Sequence, residues 1–97
     1  MYALQYETVA ASQTDQVLGP NGGAGDWLEQ LVVTVATAAT AQVQIQDGAG
    51  TAYTVLPNSP GGGIGVYVIP IRAASVAGAW SVTTGAGSTV FATGRFA

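Results

Sequence analysis

Histidine, cysteine and lysine are absent from this 97-residue chain, and its only basic side chains are Arg72 and Arg95. Without cysteine there is no disulfide framework and no thiolate chemistry. The usual general bases and nucleophile activators reduce to five carboxylates: Glu7, Asp15, Asp26, Glu29 and Asp47. A serine triad lacks its histidine, and a serine–lysine dyad lacks its lysine. Zinc lacks its customary ligands, and Asp47-Gly48 does not open a D-x-D-x-D-G calcium loop. The reading is of a protein that is not an enzyme and holds no cofactor and no metal.

Charge is scarce in either sign. Charged residues are 7% of the chain, against roughly 25% in ordinary soluble domains. A net charge of −3 with two arginines cannot neutralise a run of phosphates, which speaks against nucleic acid. The same shortage speaks against an anionic membrane surface. The opening MYALQYETVAAS has no basic end followed by an apolar block, so no signal peptide is expected. No run approaches the ~20 apolar residues of a membrane span. The surface must instead be made of Thr, Ser, Gln, Ala and Gly, which suits a protein that sits against neighbours.

What is present is glycine and alternation. A chain of this length makes one domain, 1–97, burying roughly 64% of the surface its unfolded form exposes. Loops are marked by GPNGG, DGAG, PNSPGGG and GAG. Between them, runs rich in Val, Thr, Ile and aromatics alternate with period two, as in AQVQIQDG and GAWSVTT. Strands are expected near 4–9, 15–18, 27–36, 41–46, 51–56, 64–71, 78–84 and 88–96. The fold class is therefore all-β: a small β-sandwich or jelly roll of about eight short antiparallel strands. Trp27, Leu28, Leu31 and Val32 also fit a helical stripe that Asp26 could cap, but the following VTVAT favours strand. Pro70, inside VYVIPIR, places that strand at an edge, at a bulge, or both. VQIQDGAGTAYTV and WSVTTGAGSTVFA share a strand–GAG–strand pattern, and each reads as a hairpin.

The glycine loop before Trp27 could be taken for a phosphate cradle. A P-loop needs a lysine and a hydroxyl after its last glycine, whereas Asp26 and Trp27 follow here. A dinucleotide loop needs G-x-G-x-x-G between strand and helix, and neither the spacing nor the helix is present. The loop is expected only to turn the chain. Asp15 and Asp26 could meet across it as a carboxylate pair, or with Asn21 around a surface calcium ion. The plainer expectation is that they start turns or sit on rims.

Two aromatic sets remain. Trp27, Tyr53, Tyr67 and Trp80 could form a sugar-stacking platform, but Trp80 runs in phase with Val82 and is expected in the core. Tyr2, Leu4 and Tyr6 share one face of the first segment and form a candidate interface. Residues 1–14 are either an extended arm that adds a strand to a neighbour or the first strand of the chain's own sandwich.

The stretches VLGPNGGAGDWLEQLVV, VLPNSPGG, GAWSVTTGAG and ATGRF, spanning about Val17 to Phe96, resemble small proteins encoded near the capsid genes of tailed bacteriophages. That resemblance implies a β-sandwich component of the virion, most often a capsid decoration (cement) protein and sometimes a head fibre or tail part. Implied partners are the major capsid protein and copies of the chain itself, with a trimer as one arrangement. The implied location is the capsid surface, after synthesis in the host cytoplasm. The resemblance brings no catalytic motif. A carbohydrate-binding module is the rival reading.

Overall fold

The computed structural model describes residues 4–96. Its strands are β1 (Gln5–Val9), β2 (Gln16–Val17), β3 (Trp27–Val35), β4 (Val43–Asp47), β5 (Tyr53–Leu56), β6 (Gly65–Ala74), β7 (Trp80–Thr84) and β8 (Ser88–Arg95). They form two four-stranded antiparallel sheets, ordered β1-β8-β3-β6 and β2-β7-β4-β5. The first strand pairs with the eighth, the second with the seventh, the third with the sixth and the fourth with the fifth. A long antiparallel ribbon rolled into two layers has this order, which is that of a jelly roll.

The core is the space between the layers. Val9, Leu28, Leu31, Val33, Val35, Val90 and Ala92 face it from one sheet. Val43, Ile45, Leu56, Trp80 and Val82 face it from the other. Alternation explains the choice, because residues at i and i+2 of a strand share a face. Trp80 is buried as expected, and its indole N–H donates to the Asp26 main-chain oxygen at 3.0 Å. That bond lets a polar ring edge enter an apolar core without an unpaired donor.

The stripe at Trp27 resolves as strand. Pairing with β6 and β8 on both sides, together with the branched residues of LVVTV, outweighs one helical turn. A 3-10 turn appears at Ala38–Thr40 instead, where no strand or helix is expected. Pro70 lies on edge strand β6, and the register shifts beside it, between Leu28 and Gln30 of β3. Ile71 and Arg72 oppose the single residue Glu29 across that shift, with Arg72 at φ 54°. The bulge lets β6 continue past the proline to Ala74 rather than stop near residue 71.

One expectation is corrected. VQIQDGAGTAYTV is a hairpin, β4 to β5. WSVTTGAGSTVFA is not, because β7 and β8 belong to different sheets. The cause is the second GAG. Gly87 N donates to Thr40 O at 2.9 Å and Gly87 O accepts from Ala36 N at 2.8 Å, while Gly85 N donates to Gln42 O at 2.9 Å. A Cβ on Gly85 would collide with the Thr40 carbonyl oxygen, and one on Gly87 with that of Thr37. The turn is pressed against residues 37–42, so the chain crosses between layers there.

Residues 5–9 pair with β8 in the chain's own sheet. They form its first strand and not a free arm.

Candidate functional site

The glycine loop spends its polar groups on itself. Asp26 Oδ2 accepts from Gly23 N at 3.1 Å, Asp26 N donates to Gly23 O at 3.2 Å, and Gly25 N donates to Ser75 O at 2.8 Å. Ser75 closes the set, its hydroxyl donating to Gly23 O at 3.0 Å and its N–H to Asp26 O at 2.8 Å. Gly22 and Gly25 have φ values of 69° and 91°, which a side chain would strain. The loop turns the chain and buttresses the end of β6.

Asp15 and Asp26 hold separate places. Asp15 Oδ1 accepts from the Thr83 hydroxyl at 3.2 Å, while Asp26 is buried against Gly23, Ser75 and the Trp80 ring. Each organises its own turn. Among the described residues no three His, Cys, Asp or Glu side chains gather as metal ligands. Asp47 holds a row of converging amides. Its Oδ2 accepts from Val76 N at 2.9 Å, and its Oδ1 from Ala77 N at 3.0 Å and Gly78 N at 3.3 Å. Such a nest could bind an external anion, but the chain's own carboxylate fills it. The Val76 N–H is the main cause that holds the Asp47 carboxyl below its ordinary range; burial opposes it, and the Ala77 and Gly78 N–H groups add smaller lowering contributions.

The four-aromatic platform does not assemble. Trp80 is in the core, and Tyr67 packs inward with its hydroxyl donating to Gly63 O at 2.6 Å. Trp27 donates its indole N–H to Glu29 Oε1 at 2.9 Å at the start of β3, whereas Tyr53 is exposed on β5 of the other sheet.

The outer faces of the two sheets differ in kind. On β2-β7-β4-β5 the exposed row is amide and hydroxyl. Gln44 Nε2 donates to Thr54 Oγ1 at 3.2 Å, Gln46 Nε2 to Gly50 O at 2.7 Å, and Gln44 lies opposite Thr83. A shallow recess of about 220 Å³ opens there, lined by Thr40, Gln42, Gln44, Asn58 and Thr83. No ionisable side chain lines it.

On β1-β8-β3-β6 the outer face is apolar. Phe91 lies opposite Thr8 of β1 and opposite Val32 of β3, and Val32 lies opposite Val68 of β6. Val66 and Val68 are 63% and 60% exposed, and Tyr6 is 66% exposed. Tyr6 stacks on Phe91 with ring centroids 4.9 Å apart and planes 13° from parallel. A second recess, about 320 Å³, runs between Thr8, Ala10, Val32, Thr34, Thr89 and Phe91, again without an ionisable lining group. Charge stands only at one end of the face, where Arg72 Nε meets Glu29 Oε2 at 3.3 Å and Arg95 lies opposite Trp27.

Of the candidate interface residues, Tyr6 is on this apolar face, Leu4 is 51% exposed just before β1, and Tyr2 lies outside the described residues. Phe91, Val32, Val66 and Val68 complete the surface, and residue patterning did not single them out. Their signal is the run GVYVIPI, which is apolar in both phases of the alternation. A strand apolar in both phases has something apolar to do on both faces.

Compared with known proteins, the chain matches no family model, no curated protein sequence and no solved structure at a significant level.

Proposed function

We propose that this chain is a structural virion protein of a tailed bacteriophage, a decoration protein that stabilises the head by bridging major capsid subunits. The observation that carries this reading is the surface. One outer sheet face is amide and hydroxyl, the other is apolar away from its Glu29–Arg72–Arg95 end, and the two recesses on them lack ionisable groups. Such a surface is poor material for catalysis or for an electrostatic partner. It suits many modest, salt-tolerant contacts repeated around symmetry axes. The jelly-roll strand order supports the reading, since virion components use this architecture. Lectins use it too, but here no exposed aromatic ring joins the Gln and Thr recess.

The test is made in the phage that encodes the chain. Virions should contain the protein in many copies on the head. Heads from a gene deletion should rupture at a lower temperature, and adding the purified protein back should restore them. Copies confined to the tail or to fibres would reassign its position. Absence from purified particles would overturn the proposal, and glycan binding by the isolated domain would favour the carbohydrate reading instead.

A further inference from the structure

We infer that the apolar outer face of β1-β8-β3-β6 is a self-association surface, on which a second copy packs sheet to sheet about a two-fold axis.

Size comes first. Four strands about 4.8 Å apart and roughly eight residues long, at ~3.3 Å per residue, present a face of roughly 19 by 26 Å. Two such faces bury about 1,000 Å² together, the lower limit for a specific interface. The dimer is therefore weak and reversible.

Composition comes second. A two-fold contact sets each surface against itself, so like charges near the axis repel. The centre of this face holds Phe91, Val32, Thr34, Thr89 and Val68 and no charge. At its charged end the signs are mixed: Glu29 stands on β3 and Arg95 on β8, the two central strands. An axis running along the strands, between β8 and β3, exchanges those strands. Glu29 of each copy, which already holds Arg72 of its own chain, then comes over the Arg95 end of the other, so opposite signs face each other there in place of like ones. The outer face of the other sheet offers neither feature, since its glutamines and threonines already bond within the sheet or stay solvated.

This inference concerns the isolated protein and does not depend on its place in a virion. Sedimentation equilibrium of the full chain over roughly 1 μM to 1 mM tests it. A monomer–dimer equilibrium is expected, with a dissociation constant between about 10 μM and 1 mM. Phe91→Lys and Val68→Lys should each weaken the dimer at least about tenfold. Val68→Lys is the safer variant because it changes an exposed edge position, and an unchanged melting temperature shows that it folds. Gln44→Lys, on the other sheet, should leave the dimer intact. A monomer throughout the range, a trimer, or a dimer indifferent to both face variants would overturn the inference, whatever the fate of the virion proposal.

Discussion

Trp80 of β7 reaches across the sandwich to donate its indole N–H to the main-chain oxygen of Asp26, at 3.0 Å. That same oxygen accepts from Ser75 N at 2.8 Å. One carbonyl thus ties the glycine loop, the β6–β7 connection and the core together.

The stability consequence separates into two parts. Trp80→Ala removes a buried ring and should cost about 3–5 kcal/mol in urea or guanidinium unfolding. Trp80→Phe keeps most of the apolar volume and loses the N–H. Because Ser75 still serves the Asp26 oxygen, that loss should add only about 1 kcal/mol to the cost of the smaller ring. Equal losses for both variants would contradict this partition.

Asp47 ties the β4–β5 hairpin to residues 76–78, and its carboxyl is held below its ordinary range by those amides. A folded-state value lowered beneath the unfolded one gives stability that is fully present above the unfolded value, about 3.9. It is lost as pH falls through the folded value. Wild type should therefore exceed Asp47→Asn in stability at neutral pH, and the gap should close on acidification below about pH 4. A gap that stayed constant with pH would assign the effect to shape rather than charge.

Gly87 has no room for a side chain, since a Cβ there meets the Thr37 carbonyl oxygen. Gly87→Ala should cost about 2–3 kcal/mol by forcing the crossover turn away from residues 37–40. Gly61 faces open space, so Gly61→Ala is the control and should lie within about 1 kcal/mol of wild type. Thermal melts of the two variants make the comparison.

Ser88 is buried on β8, and its hydroxyl is the one buried side-chain polar atom without a hydrogen-bond partner among the described residues. Ser88→Ala removes an unsatisfied group and leaves little space behind. The variant should be more stable than wild type, by about 1 kcal/mol. A loss of stability on denaturant unfolding would mean that the hydroxyl is satisfied in solution.

The strand set was legible because local chemistry decides it. Glycine clusters mark the breaks, and alternation marks the runs between them. Pro70 announced its edge strand and the neighbouring bulge for the same reason, since a missing N–H is a local property. Sheet membership is not local. The two GAG turns look alike in sequence, yet one closes a hairpin and the other crosses layers. The difference lies in the Thr37 and Thr40 carbonyls that crowd Gly85 and Gly87, 45 or more residues earlier in the chain. The interface was half legible. Tyr6 was visible as part of an exposed face, but Phe91 becomes its stacking partner only through β1–β8 pairing.

The ribbon order also sets the timing of folding. Among the described strands the β4–β5 hairpin is the only short-range pairing, while β1 joins β8 by bringing Gln5 beside Gly94. High contact order of this kind slows folding, because long loops must close before their contacts repay the lost entropy. β8 lies between β1 and β3, so until β8 is in place β1 has no partner in the sheet and β3 is paired on its β6 side alone. Until then β1 and the Val-rich β3 wait with unpaired edges, open to pairing with other nascent chains. Where many copies fold at once, the time β8 takes to find its place sets how long those edges stay open.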